Sequence, residues 1–182
     1  MPKSVERSGS AVLADVSIVA VDDNANTRRM LKELLLAFGA RDLRFAADGE
    51  TALSMIHGRT PDMVLCDWHM EPMDGIALLC QLRHKDSGLA ARTPAIMLTA
   101  HTKPEVVKAS MDAGANHFVA KPIVPANLLK RIQWVRSDER VFALEGDRYV
   151  LRSPAELAAR QPVTQPSVAV QSAEAQEEVW EI

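Results

Sequence analysis

Short apolar runs alternate with longer amphipathic segments along most of this chain, and this alternation limits the folds open to it. The runs span residues 16–21, 43–47, 63–66, 95–99 and 117–120. Runs so short and so apolar are typical of strands in a parallel sheet that is buried on both faces. Such a sheet needs helices on each side, so the strict alternation predicts a doubly wound α/β domain.

The segments between the runs carry the marks of helices. In the first segment, Asn24 or Asn26 can cap the helix start, apolar residues recur every three or four positions, and Gly39 follows the end. The result is a series of five strand–helix units. Because right-handed crossovers leave few ways to wind them, we expect a five-stranded parallel sheet with the flavodoxin-like order 2-1-3-4-5. Ligands of such sheets bind beyond the carboxyl ends of the strands, at the switch point between strands 1 and 3.

Polar residues stand at four of these strand ends. Asp22 and Asp23 follow the first run, Asp67 follows the third, Thr99 ends the fourth and Lys121 follows the fifth. Each alone could be an ordinary helix cap or a solvated loop charge. Together they favour a binding site, because carboxylates at one sheet edge repel each other unless a cation joins them, and Mg²⁺ takes oxygen ligands. Asp67 could then act as a nucleophile on phosphorus, with Lys121 and Thr99 beside the phosphoryl group.

The sequence around these residues resembles a known family. The stretches VDDN, CDWHM followed by MDG, LTA and AKP lie between residues 14 and 136. They are similar to the single receiver domain of bacterial two-component response regulators of the chemotaxis-regulator type. The resemblance implies that a sensor histidine kinase donates a phosphoryl group to Asp67, and that Thr99 and Lys121 bind the phosphoryl oxygens. It also implies a cis peptide bond between Lys121 and Pro122.

The same resemblance implies a metal site and a conformational switch. The switch would couple Thr99 to an aromatic residue on the fifth strand, here Phe118, although Phe118 could equally be an ordinary core residue. The Mg²⁺ ligands would be Asp22, Asp23, Asp67 and the backbone carbonyl of His69.

Three positions depart from the family pattern. The family often places Pro four residues after the phosphoacceptor, where this chain has Glu71. His69 lies two residues after Asp67, and His101 lies two residues after Thr99. We expect these two rings to alter the access of hydrolytic water, and so the lifetime of the phosphoryl form. Direct metal binding by either ring is less favoured, because Mg²⁺ prefers oxygen ligands.

The residues outside 14–136 divide into three segments. Residues 1–13 are predicted to be a flexible N-terminus. Residues 137–152 alternate in polarity around an EGD turn, which predicts an extended arm or β-hairpin that must pack either on its own domain or on a second subunit. We expect a homodimer through this arm or the last helices. Residues 153–182 are rich in Ala, Gln, Pro and Ser, which predicts a disordered tail.

Composition and charge narrow the functional classes. A net charge of -3 gives no global attraction to nucleic acid, and no run is apolar enough to span a membrane. No helix-turn-helix pattern follows residue 136. The sequence therefore predicts a cytoplasmic, stand-alone response regulator without a DNA-binding output domain. It would signal by protein contact, or pass the phosphoryl group to a phosphotransfer protein, and would not be an enzyme in the usual sense.

Two other functions stay open at this point. One is an aspartyl-nucleophile phosphatase of the haloacid-dehalogenase type, which is disfavoured because His69 stands where that class needs a second acid. The other is an interaction module that works without phosphorylation.

Overall fold

The predicted α/β sheet is present. A computed structural model describes residues 12–101 and 103–160. Its main sheet has five parallel strands in the order β2-β1-β3-β4-β5, as predicted. The strands are β1 (Ser17–Val21), β2 (Asp42–Ala46), β3 (Met63–Asp67), β4 (Ala95–Thr99) and β5 (His117–Ala120). The helices between and after them are α1 (Ala25–Ala37), α2 (Gly49–Gly58), α3 (Gly75–Leu82), α4 (Pro104–Asp112) and α5 (Pro125–Arg136), with a 3₁₀ segment at Lys85–Arg92.

Helices cover the sheet on both faces, which explains why its central strands are apolar along their whole length. All residues of β3 and β4 are buried. Along β1, Val19 and Val21 join the core beneath α2 and α3, while Ile18 and Ala20 join the core beneath α1 and α5. Successive side chains of β1 point alternately into two apolar cores, so every position of the strand needs an apolar residue. The strand therefore appears in the sequence as an unbroken apolar run.

Local signals place the helix ends as the sequence indicates. Of the two possible caps of α1, Asn24 is the one used, since its side chain accepts hydrogen bonds from the N–H groups of Asn26 and Thr27. Asp48 and Asp74 cap α2 and α3 in the same way. No described helix is long and apolar enough to cross a membrane.

The predicted C-terminal hairpin forms and folds back on its own domain. It consists of antiparallel strands β6 (Val141–Glu145) and β7 (Arg148–Arg152). The Tyr149 N–H donates to the carbonyl of Arg83 at 2.7 Å, and the Lys85 N–H donates to the carbonyl of Asp147 at 2.8 Å. Phe142 is buried in this contact. A two-stranded hairpin is marginal alone, and here the domain supplies the surface that it needs.

The structure corrects both predicted terminal boundaries. Leu13, assigned to the flexible N-terminus, is fully buried, and its N–H bonds the carbonyl of Phe38 at the end of α1. At the other end, α6 (Pro154–Arg160) lies where disorder was predicted. Ser153 and Glu156 form a reciprocal capping pair that starts this helix despite the Ala- and Gln-rich composition. The rest of the predicted flexible segment and tail, residues 1–11 and 161–182, lies outside the described residues.

Candidate functional site

The polar strand ends converge at one edge of the sheet. Asp22 directly follows β1, Asp67 ends β3, Thr99 ends β4 and Lys121 directly follows β5. Because all of these strands are parallel, their carboxyl ends point the same way, and residues far apart in sequence meet there. The sequence prediction of a shared site at this edge is therefore consistent with the geometry.

Three carboxylates form a cluster at this edge. Oxygen atoms of Asp22, Asp23 and Asp67 all lie within 4.8 Å of one another. Asp22 and Asp67 are buried, whereas Asp23 is exposed. The Asn24 N–H donates to Asp22 at 2.9 Å and holds that carboxylate in place. A set of oxygen donors that is open to solvent on one side fits Mg²⁺, which binds through a few carboxylates and keeps some of its water.

Lys121 supplies a fixed positive charge to the cluster. Its Nζ lies 2.9 Å from Asp22 Oδ2 and 2.8 Å from Asp67 Oδ2. Burial raises the pKa of Asp67, and the nearby Lys121 ammonium partly opposes that rise. Burial by itself would lower the pKa of Lys121, but its hydrogen bonds to Asp67 and Asp22 outweigh this effect and raise it. Lys121 therefore stays charged at neutral pH and offsets part of the carboxylate repulsion.

Thr99 and Phe118 lie on neighbouring strands below the cluster. The Thr99 hydroxyl accepts a hydrogen bond from the His101 N–H at 2.9 Å and donates one to the His101 carbonyl at 3.1 Å. Phe118 is partly buried and packs against the core beneath α2 and α3. Phe118 pairs with Met97 in the β4–β5 ladder, two positions before the pairing of Thr99 with Ala120. Both predicted switch residues thus lie on the strands that end at the site.

A cleft of about 410 Å³ opens over Asp67 and Lys121. His69 and His101, the two histidines that depart from the family pattern, line this cleft. Trp68 lies between these histidines, with its ring centroid 6.1 Å from that of His69 and 5.6 Å from that of His101. The Trp68 indole Nε1 is buried and has no hydrogen-bond partner among the described residues. Sequence reasoning assigned no role to Trp68, although its place directly after Asp67 was the available signal.

The loops that close the site contain two cis peptide bonds. The Lys121–Pro122 bond is cis, as predicted. The Glu71–Pro72 bond is also cis, in the turn where the sequence departs from the family pattern. That turn leads to Gly75, whose N–H donates to the carbonyl of Trp68 at 3.1 Å.

Gly75 supports the phosphoacceptor strand by close approach, and replacing it with Ala should destabilise the protein by about 1–3 kcal/mol. A Cβ at this position would lie 2.2 Å from the backbone oxygen of Asp67 and 2.9 Å from Met97 Sδ. Urea unfolding checks the value. Gly58→Ala is the matched control, because a Cβ there meets nothing within 4 Å. Equal stability of the two variants would contradict the proposed close packing at Gly75.

Comparison with known proteins agrees with this geometry. A sequence profile described as "Response regulator receiver domain" matches residues 18–133. Chemotaxis protein CheY-3 of Vibrio cholerae serotype O1 is 35% identical over 118 residues, which is 65% of this chain and 89% of CheY-3.

Two solved structures extend the comparison. A CheX–CheY–BeF₃–Mg²⁺ complex from Borrelia burgdorferi gives a TM-score of 0.60 at 31% identity and covers 66% of this chain and 89% of that one. The receiver domain of sensor histidine kinase PA1611 from Pseudomonas aeruginosa, solved with a magnesium ion in its active site cleft, gives 0.61 at 25% identity. That match covers 68% of this chain and 98% of the other.

The profile match includes every residue of the cluster, the lysine and the threonine. It argues against the phosphatase alternative, because the matched family is the response regulator receiver domain and not a phosphatase. Asp22, Asp23 and Asp67 form the acidic triad typical of the Mg²⁺ site of this family. The chain therefore belongs to the response regulator receiver domain family, as a phosphoacceptor signalling protein of the chemotaxis-regulator type.

Proposed function

We propose that Asp67 accepts a phosphoryl group from a sensor histidine kinase, and that the protein then signals by protein contact or passes the group to a phosphotransfer protein. Receiver domains pair with histidine kinases. The observation that carries the proposal is the setting of Asp67, which ends a fully buried strand, faces the cleft and lies 2.8 Å from Lys121. A rigid carboxylate beside a fixed cation is well placed for nucleophilic attack. We place this exchange in the cytoplasm.

The chemistry follows from these positions. A carboxylate oxygen of Asp67 attacks phosphorus, a new P–O bond forms, and the P–N bond to the kinase histidine breaks. The electron pair returns to the imidazole, which takes up a proton. Lys121 and Thr99 would donate hydrogen bonds to the phosphoryl oxygens. Bound Mg²⁺ would supply positive charge that offsets the negative charge of the carboxylates and of the phosphoryl group. Its ligands would be Asp22, Asp23, Asp67 and the backbone carbonyl of His69.

The direct test uses a small phosphoryl donor. One sample of the protein is incubated with acetyl phosphate and Mg²⁺, and a parallel sample is incubated with acetyl phosphate and EDTA. The intact mass of the protein is measured in both. We expect one phosphoryl group per chain, on Asp67, only when Mg²⁺ is present. Absence of labelling under all conditions would favour the interaction module that works without phosphorylation.

We also propose that His69 and His101 lengthen the life of the phosphoryl form. Both side chains are exposed and line the cleft, one on each side of Trp68. In that position they would limit the approach of water to phosphorus. Replacing either with Ala should speed dephosphorylation by about three- to tenfold, which corresponds to about 1 kcal/mol in the barrier. Phosphoryl loss after removal of the donor measures this rate. His57→Ala is the control, because His57 is an exposed histidine on α2 that does not line this cleft. Unchanged rates in both site variants would end the proposal.

We propose, finally, that the protein forms a homodimer through α5 and the hairpin. Large apolar side chains are exposed on these elements, with Trp134, Val141 and Leu144 each more than 40% accessible. Sedimentation equilibrium of the wild type and of Leu144→Glu tests the interface, with and without phosphorylation. We expect the wild type to dimerise about tenfold more tightly than the variant. A wild type that stays monomeric at high concentration in both states would refute the dimer.

A further inference from the structure

Three arginines hold the connection between α4 and β5. Each donates to a backbone carbonyl of residues 112–116, and none of the three belongs to that connection. Arg83, which follows α3, donates to Gly114 through Nε at 3.0 Å and Nη2 at 2.9 Å. From the C-terminal segment, Arg148 donates to Asp112 at 2.8 Å and Arg140 donates to Asn116 at 3.0 Å. We call these bonds the α4–β5 clamp.

Arg83 joins the hairpin to the clamp. Its guanidinium carbon lies 4.0 Å from the centre of the Phe142 ring in β6, and its carbonyl accepts the Tyr149 N–H of β7. One fully buried side chain therefore contacts both the hairpin and the α4–β5 connection. The hairpin lies outside residues 18–133, the part that matches the receiver profile, so this attachment adds to the common receiver fold.

The seam between hairpin and domain is not packed along its whole length. Clefts of about 340 Å³ and 310 Å³ lie along it, one beside Arg140 and Phe142 and the other beside Arg148 and Gly114. Backbone hydrogen bonds join the hairpin to the domain at Tyr149 and Asp147, and Phe142 packs on Arg83. An attachment of this kind can open locally without unfolding the domain.

The clamped connection leads directly into the proposed switch. Asn116 immediately precedes β5, and Phe118 follows two residues later. At the other end of α4, the Thr99 hydroxyl is engaged by the backbone of His101 through both of its hydrogen bonds. To bind a phosphoryl oxygen as proposed, the Thr99 hydroxyl must give up the hydrogen bond that it donates to the His101 carbonyl.

We propose that the C-terminal hairpin is an autoinhibitory clamp. It holds the end of α4 and the start of β5 in the arrangement that keeps Thr99 bonded to His101, and phosphorylation of Asp67 loosens it. This inference rests on the phosphoryl-accepting function proposed above. Because coupling between two sites is reciprocal, weakening the clamp must favour the phosphorylated arrangement, and phosphorylation must weaken the clamp.

A double variant tests the first half of this reciprocity. Arg140→Gln with Arg148→Gln removes both hairpin-side bonds and leaves every residue of the site intact. Beryllofluoride, a stable phosphoryl mimic, is titrated with Mg²⁺ and followed by fluorine NMR. We expect the half-saturating concentration to fall about fivefold or more relative to wild type. Arg29→Gln is the control, since it removes an exposed guanidinium on α1 and should leave the value unchanged.

Hydrogen exchange of the wild type tests the second half and does not depend on whether the variant folds. Beryllofluoride should speed exchange of the Tyr149 amide, which bonds Arg83, while amides in β3 stay protected. A double variant that binds like Arg29→Gln, or a Tyr149 amide that exchanges no faster, would overturn the clamp. If no form of the protein binds beryllofluoride, including the wild type, the proposed phosphorylation of Asp67 is refuted, and the proposed role of the clamp is refuted with it.

Discussion

Replacing Asp67 with Asn should abolish phosphoryl labelling by acetyl phosphate, to below about one per cent of the wild-type yield, because an amide oxygen is a far weaker nucleophile than a carboxylate. The substitution keeps the shape of the side chain at the end of β3. It removes one of the two carboxylates that contact Lys121 and leaves Asp22 in place. Intact mass spectrometry after incubation with Mg²⁺ and acetyl phosphate measures the yield.

Loss of labelling must be separated from loss of folding. Burial raises the pKa of Asp67, which means that the folded state disfavours its charge. A neutral Asn should therefore leave thermal stability unchanged or raised. Asp86→Asn is the matched control, because Asp86 is largely exposed and lies away from the cluster, and it should label fully. Full labelling of Asp67→Asn would show that the phosphoacceptor is another residue.

Replacing Arg83 with Met should lower the free energy of unfolding by about 2–4 kcal/mol. The guanidinium is fully buried and donates to the carbonyls of Gly114 and Ala91, the latter at 2.9 Å. Met fills much of the same volume but leaves both buried carbonyls without a partner, each at a cost of about 1–3 kcal/mol. Urea unfolding measures the loss, provided that the dependence of the unfolding free energy on urea concentration is the same for the variant and the wild type.

A gain in stability from removing the buried charge partly offsets this loss. Among the described residues no carboxylate forms a salt bridge with Arg83, and burial, with a smaller contribution from Arg148, lowers its pKa to about 9. Removing the charge relieves that desolvation cost. Arg83→Lys separates the two effects, because it keeps the charge but cannot reproduce the planar fork, so it should be destabilised as well. If Arg83→Met unfolds within about 0.5 kcal/mol of wild type, the hydrogen bonds and the desolvation cost cancel.

The parts of the site that could be predicted from sequence are those that depend on strand ends. Asp22, Asp67, Thr99 and Lys121 each stand where a short apolar run stops, and parallel strands bring their carboxyl ends to one edge. Local composition carries that information, because a strand that is buried on both faces must be apolar throughout. The handedness of crossovers predicted the strand order, and the alternating polarity around the EGD turn predicted the hairpin.

The parts that were missed depend on contacts between distant elements. Arg83 looks like an ordinary charged residue at a helix end, yet it is fully buried. Leu13 and α6 were assigned to mobile segments because isolated short stretches of such composition have little order of their own. Their order comes from partners elsewhere: Leu13 bonds Phe38, and Arg160 at the end of α6 pairs with Glu145 of the hairpin.

The sequence by itself determined the alternation of strands and helices, and the short motifs at the strand ends indicated the family and the residues of the acidic site. Only the tertiary structure decided how those residues meet and what surrounds them. Lys121 contacts Asp22 across 99 positions of sequence, and Arg83 reaches Gly114 across 31. Periodicity reports which face of an element is buried, but not which neighbour buries it. The position of Trp68 between two histidines and the docking of the hairpin on Arg83 depend on that neighbour, and are therefore properties of the folded chain.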